Sequence, residues 1–176
     1  MPTDDVTIVE PDSRWPRRFE EERARLETAI APEERLAIEH FGSTAVPGLA
    51  AKPIIDILLA VPDLDAARAA FPGRLAPLGY VFWADNPKRD RLFFVKGMPP
   101  HGRGRTHHVH VCERPGEMWD RLAFRDWLRS HPTDARLYEQ LKRDAATRFP
   151  TDREAYTAAK DEFIGSIMAR AAPRRR

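Results

Sequence analysis

The stretch HFGSTAVPGLAAKPIIDILLAV, residues 40–61, joins a glycine-bearing turn to a nearly continuous apolar run. The run KPIIDILLAV is typical of a strand that is buried on both faces. Asp56 interrupts it, and a carboxylate there costs on the order of several kcal/mol unless it is paired, hydrogen-bonded or bound to a cation. It could be structural, accepting backbone N–H groups or pairing with a base such as Lys52. It could equally be a metal ligand at the edge of a cleft.

The turn before this strand contains Gly42, Ser43 and Thr44. A glycine directly after a strand lets the backbone turn tightly, and a serine there can cap a helix or hydrogen-bond a phosphate. Thr44 offers a second hydroxyl. Capping is the commoner role of an isolated Gly-Ser turn, so these residues alone are a weak signal.

Composition indicates an ordinary soluble protein. The chain has 176 residues, 42% hydrophobic and 32% charged, which suits a single domain over residues 1–176. No signal peptide or membrane-spanning run is present, and Cys112 is the only cysteine, so we expect a cytoplasmic protein without a membrane partner. The net charge of +2 does not indicate nucleic acid. The basic loops 87–91 and 101–105 are either solvated or functional.

Hydrophobic patterning predicts an α+β fold with a mixed or largely antiparallel sheet, since the later strands have no helices between them. We expect the sheet in residues 1–115 and a C-terminal helical layer in residues 116–172. A helix should start near Ser13, and residues 63–78 should form another, broken at Pro72 and Gly73. The expected strands cover residues 36–42, 52–61, 80–83, 91–96 and 106–113. Three long helices should follow, over residues 117–131, after Pro132, and over residues 151–172.

The strand HHVHVC alternates so that His108, His110 and Cys112 share one face. Two histidines at this spacing can both reach a metal, which would favour zinc or another transition ion over magnesium. Spacing fixes no third ligand, so one core histidine and one solvent-facing histidine is the commoner arrangement. His110 as a phosphate contact or general base stays open.

Two Tyr–Lys pairs lie at helical i, i+4 spacing, Tyr138 with Lys142 and Tyr156 with Lys160. Each lysine could extend its stem over the core and keep its charge at the rim. Together with Arg125, the two lysines could instead converge on a polyphosphate.

The blocks GSTAVPGLAAKPIIDI, HHVHV and FRDWLR closely resemble the GrpB-like family of small bacterial proteins, and the resemblance covers nearly the whole chain. That family is placed in the nucleotidyltransferase-fold superfamily, and some members are fused to dephospho-CoA kinase, which implies a link to coenzyme A biosynthesis. In the superfamily pattern Gly42 and Ser43 match the turn and Asp56 the first acid. The second acid falls on Leu58, which cannot bind a metal, and His110 lies roughly where a third acid is expected.

The resemblance implies that the chain binds a nucleotide or another phosphorylated small molecule. Ser43 and the adjacent backbone would hold phosphate, with Asp56 on Mg²⁺ and Glu39 as an additional oxygen. His110 would act as base or orient the acceptor. The cations expected to neutralise the phosphates are Lys52, Arg125, Lys142 and Lys160.

Three hypotheses follow. The first is a nucleotide-binding protein which, if it is an enzyme, is a Mg²⁺-dependent nucleotidyltransferase with an unknown acceptor. The second is a non-catalytic ligand-binding or interaction module, which Leu58 favours. The third, with the weakest support in the sequence, is a transition-metal hydrolase built on Asp56, His108 and His110.

Overall fold

The computed structural model describes residues 5–171, and within them a five-stranded mixed sheet forms the centre of the fold. The spatial order is β1-β2-β5-β4-β3. The central pair β2 and β5 is parallel and the other pairs are antiparallel. The strands are Ala37–Phe41 (β1), Ile55–Val61 (β2), Tyr80–Phe82 (β3), Arg91–Lys96 (β4) and His107–Glu113 (β5). The α+β class, the mixed sheet and the five strand positions are therefore confirmed.

Helices α1 (Trp15–Ala29) and α2 (Leu64–Leu75) pack on one face of the sheet. Short 3₁₀ turns occupy Pro32–Glu34, Ser43–Ala45 and Ala76–Leu78. The chain then continues as the helices Glu117–Asp120 (α3), Leu122–Ser130 (α4), Pro132–Arg148 (α5), Arg153–Ala158 (α6) and Asp161–Ala171 (α7). In residues 5–171, no helix combines the length and apolarity needed to cross a bilayer.

Three predicted helices differ from the structure. The helix expected over residues 117–131 is divided at Arg121 into α3 and α4. Helix α2 runs through Pro72, because Phe71 and Leu75 on either side of it are fully buried against the sheet and hold the last turn. The burial of these two side chains outweighs the lost backbone hydrogen bond. The helix expected over residues 151–172 is interrupted instead, and the interruption leaves Lys160 in the turn between α6 and α7.

Alternation along the two central strands separates the core from the candidate site. Ile55 and Ile57 of β2, and Val109 of β5, face the main core beneath α1 and α2. Their neighbours in sequence therefore point to the opposite face. The parallel register sets Asp56 beside His108 and Leu58 beside His110 on that face. Strand pairing thus brings together residues that lie 52 positions apart in the chain.

The C-terminal helices dock on the segment between β1 and β2 through buried polar contacts to its backbone. Arg125 donates to the His40 carbonyl at 2.8 Å, and Arg129 donates twice to the Ala45 carbonyl, at 3.0 and 2.8 Å. Lys142 donates to the carbonyl of Ala50. A backbone carbonyl that is buried without a donor is costly, so these contacts hold the helical layer in a defined position over the turn.

Gly42 is the point where the turn approaches Asp56 most closely. Its φ of +70° lies in the left-handed region that favours glycine. A Cβ at this position would lie 2.7 Å from Oδ2 of Asp56. The missing side chain therefore gives the carboxylate its space beside the turn.

We predict that Gly42→Ala destabilises the protein more than Gly48→Ala does. Gly48 has a similar φ of +74°, but a Cβ added there would meet nothing within 4 Å, so its substitution carries only the backbone strain, about 1–3 kcal/mol. The contact with Asp56 should add roughly another 1–3 kcal/mol at Gly42. Urea unfolding of both variants measures the difference. Equal losses of unfolding free energy would contradict the close approach of turn and acid.

Candidate metal and phosphate site

Asp56, His108 and His110 form a compact cluster on the face of the sheet opposite the main core. Oδ1 of Asp56 lies 2.9 Å from Nδ1 of His108 and 3.9 Å from Nε2 of His110. One donor atom from each of the three residues lies within 4.8 Å of the others. Among residues 5–171 this is the only group of three or more His, Cys, Asp or Glu side chains with donor atoms so placed. Sequence spacing alone determined no third potential ligand. The pairing of β2 with β5 places Asp56 beside the two histidines.

The two imidazoles keep Asp56 ionised. Burial opposes the charge, but the hydrogen bond from His108 and the nearby imidazole of His110 outweigh it and hold the pKa of Asp56 well below its usual range. Burial in turn lowers the pKa of His108, so its ring is neutral at pH 7. Its Nδ1 then carries the proton donated to Asp56, and its buried Nε2 has no hydrogen-bond partner among the described residues. The cluster is therefore one carboxylate beside a neutral imidazole.

The cluster opens toward solvent on one side only. The Asp56 and His110 side chains keep 27% and 20% of their surface exposed. On the closed side Leu58 is fully buried and packs with Cys112 and Met118. Burial raises the pKa of the Cys112 thiol to about 11, so it is not a thiolate ligand at neutral pH. The exposed sides of Asp56 and His110 are thus the accessible part of the cluster, and Leu58 offers no ligand atom.

The two hydroxyls of the turn have different surroundings. The side chain of Ser43 faces the Tyr138 hydroxyl of helix α5. Thr44 is buried, and its hydroxyl lies 3.0 Å from Nε2 of His40 and 3.4 Å from the Ile54 carbonyl. The hydroxyl of Thr44 therefore holds the turn together, and Gly42 borders Asp56.

Two of the predicted cations lie near Asp56. The Lys160 ammonium lies 4.0 Å from the centre of the Tyr156 ring, and that of Lys52 lies 5.0 Å from the same centre. Burial lowers the pKa of Lys160 to about 7, with Lys52 lowering it further and Asp56 raising it. The two ammonium groups and the Asp56 carboxylate thus interact electrostatically near the α6–α7 turn.

The other two predicted cations, Arg125 and Lys142, are held by contacts within the protein. Arg125 is bound to Glu39 at 2.9 Å and to Asp126 at 2.8 Å, in addition to the His40 carbonyl. Lys142 is 2% exposed, and burial lowers its pKa to about 7. The structure therefore brings Lys52 and Lys160 toward Asp56, while Arg125 and Lys142 fasten the helical layer.

An aromatic row beside the cluster was not anticipated from the sequence. The Phe93 ring lies 4.8 Å from that of His110 and 5.0 Å from that of His108. Trp83 follows at 6.2 Å from Phe93 and is 44% exposed. The guanidinium of Arg105, the last residue of a predicted basic loop, lies 5.3 Å from the Trp83 ring centre. Phe93 becomes a neighbour of His110 through the pairing of β4 with β5. Side-chain alternation in the sequence could indicate only which residues of each strand share a face.

Comparison with known proteins gives consistent matches over almost the whole chain. Residues 5–170 match the GrpB protein family. A UPF0157 protein of Pseudomonas aeruginosa is 55% identical over 170 residues, which cover 96% of this chain and 68% of that protein. The crystal structure of the conserved protein GrpB from Enterococcus faecalis aligns with a TM-score of 0.83 at 35% identity, over 94% of this chain and 96% of that one.

A more distant match is a dephospho-CoA kinase of Mycolicibacterium paratuberculosis. It is 33% identical over 189 residues, which cover 94% of this chain but only 46% of the kinase. This match therefore concerns part of a longer protein. The family match and the full-length relatives agree with each other and with the fold, and on these grounds the chain belongs to the GrpB family.

Proposed function

We propose that this protein binds a phosphorylated small molecule through one divalent transition metal held by Asp56, His108 and His110. The convergence of these three donor atoms within 4.8 Å of one another carries the proposal. The cleft cations Lys52 and Lys160 would neutralise the phosphate.

The donor spacing suits a metal ion. Ligand atoms bound tetrahedrally at 2.0–2.1 Å lie about 3.3 Å from one another, so a triangle with edges of 2.9 and 3.9 Å closes around an ion with small side-chain movements. Binding through Nδ1 of His108 requires the other neutral tautomer, in which the proton has moved from Nδ1 to Nε2 of the same ring. Three protein ligands with an open fourth position are the pattern of a site that also binds a substrate. The exposed sides of Asp56 and His110 leave such a position toward the cleft.

The donor chemistry favours a transition ion over Mg²⁺. Two imidazoles and one carboxylate suit zinc, manganese, iron or nickel, whereas magnesium prefers oxygen ligands and water. The Mg²⁺ expected at Asp56 would depend on oxygen ligands from the bound phosphate, since the fully buried Leu58 leaves Asp56 without a second carboxylate on its strand. The proposal therefore departs from a two-metal nucleotidyltransferase site.

The polar groups around the cluster suit an anion. Lys160 and Lys52 lie over the ring of Tyr156, and Gly42 borders Asp56. Since Asp56 is ionised, a phosphate next to it needs intervening positive charge, and the metal and the two lysines would supply it. These residues would orient the phosphate with its ester oxygen toward the open side of His110.

If the protein is an enzyme, the reaction is transfer or hydrolysis at phosphorus. A bound metal would supply Lewis acidity and charge neutralisation there. The side chains of this chain would provide alignment, and Lys160, with a pKa of about 7, could hold or release a proton at neutral pH. His110 would be a metal ligand and would therefore not act as a general base.

The match to dephospho-CoA kinases suggests which ligands to examine. Dephospho-CoA carries phosphates and an adenine ring, and we include it among the candidate ligands of this site. A nucleotidyltransferase fold and a cytoplasmic location remain predictions that accord with this assignment.

The metal site predicts tight binding of one Zn²⁺ or Mn²⁺ per chain. Isothermal titration calorimetry should show a stoichiometry of one, and the melting temperature should rise with metal concentration. Asp56→Asn and His110→Gln should each weaken binding by at least about tenfold, because each removes one of three ligands. His131→Gln is the matched control, since His131 stacks on Trp127 at 3.7 Å on a different element. Unchanged affinity in both cluster variants would overturn the proposal.

The lysine cleft predicts pH-dependent binding of a simple phosphate ester. Ribose 5-phosphate should bind the metal-loaded protein, and its affinity should fall as pH rises through 7 to 9, because Lys160 loses its proton above its pKa of about 7. Lys160→Met should weaken binding at pH 6.5 by roughly tenfold or more and flatten this decline. Exposed Lys88 provides the control variant Lys88→Met. Binding that is equally tight in Lys160→Met would show that the cation does not contact phosphate.

A further inference from the structure

The exposed aromatic row beside the metal cluster suggests what kind of molecule carries the phosphate. Phe93 pairs with His110 across β4 and β5, and the backbone N–H of Trp83 bonds the Phe93 carbonyl at 2.9 Å. Residues paired across neighbouring strands point to the same face of a sheet. His110, Phe93 and Trp83 therefore form one row on the face that carries the cluster.

This end of the sheet face is not covered by the C-terminal helices. Val81 and Trp83 alternate on the same side of β3 and its extension, and they are 39% and 44% exposed. Among residues 5–171 only Leu36 and Leu137 are large apolar side chains with comparable exposure. Exposed apolar side chains that occur singly are common in folded proteins. Two that adjoin each other and lead toward a polar cluster indicate a contact surface.

The row has the dimensions and charge that a nucleotide requires. Trp83 lies two strands from His110, about 10 Å at the usual strand spacing, which is comparable to the length of a mononucleotide. The Arg105 guanidinium lies over the Trp83 ring at 5.3 Å and adds positive charge at this end. Aromatic side chains stack on any nucleobase, because every base has a flat π face.

We propose that Trp83 and Phe93 form a ring-stacking subsite that binds the nucleobase of the ligand whose phosphate occupies the metal cleft. This inference rests on the proposed function and narrows the ligand from phosphate esters in general to nucleotides. A sugar phosphate would satisfy the metal and the lysines but would leave the aromatic row uncovered.

The test compares AMP with ribose 5-phosphate on the metal-loaded protein by calorimetry. AMP should bind about 5- to 100-fold more tightly, the range expected for stacking of one base. Trp83→Ala should remove most of that advantage and leave the affinity for ribose 5-phosphate unchanged. Leu137→Ala is the matched control, because Leu137 is 56% exposed on helix α5. Quenching of tryptophan fluorescence by AMP, absent in Trp83→Ala, gives a second readout.

The outcomes separate the two proposals. Equal affinities of AMP and ribose 5-phosphate, or an AMP affinity that Trp83→Ala leaves unchanged, would overturn the stacking subsite while the phosphate site stands. If neither compound binds the metal-loaded protein, both proposals fail. An AMP advantage that disappears in Trp83→Ala but not in Leu137→Ala supports the subsite.

Discussion

The ionised carboxylate of Asp56 on a central strand is the constraint around which the polar half of this fold is arranged. An isolated charge at that position would be costly, and here it is balanced by two imidazoles from the neighbouring strand. The parallel register of β2 and β5 provides this balance, and Gly42 provides the space for it. A shift of the register by one residue would move His108 and His110 to the opposite face. The site and the sheet are therefore specified together.

The positive side chains around the candidate site divide into two groups with different roles. Arg125, Arg129 and Lys142 donate to backbone carbonyls of β1 and of the segment that follows it, so these contacts hold the helices to the sheet. In the second group, the ammonium groups of Lys52 and Lys160 lie over the aromatic ring of Tyr156. The first group fixes the position of Lys160, because it anchors the helical layer that carries this residue. A ligand that interacts with Lys160 would thus contact a part of the molecule that is already anchored to the Gly42 turn.

The sequence predicts the fold well, because its strands and helices have strong and distinct periodicities. The strand around Asp56 and the face shared by His108 and His110 could both be derived from alternation alone. That alternation could not show that β2 and β5 are parallel neighbours, so the hypothesis that grouped Asp56 with His108 and His110 had no geometric support in the sequence. The parallel pairing depends on chain connections that span some fifty residues and leave no local signature. Sequence reasoning therefore ranked the transition-metal hypothesis last, although the geometry gives it the best-placed donors.

The cations show a second limit of sequence reasoning. Arg125 and Lys142 have the same residue chemistry as Lys160, and only their contacts distinguish a structural cation from one that faces a cleft. Phe93 was assigned to a strand correctly, and Trp83 lies one residue beyond the end of β3. Their proximity to His110 follows from the antiparallel register of three strands. Properties that depend on pairing between distant strands are those that the sequence alone does not determine.

Anomalous diffraction at the zinc absorption edge, from crystals soaked in a zinc salt, would show whether the Asp56 cluster binds a metal. We expect one strong anomalous peak within bonding distance of Asp56, His108 and His110, with the hydrogen bond between Asp56 and His108 replaced by bonds to the metal. Peaks confined to surface side chains, with that hydrogen bond intact, would show that the acid is balanced by the histidines alone and that the cluster is not a metal site.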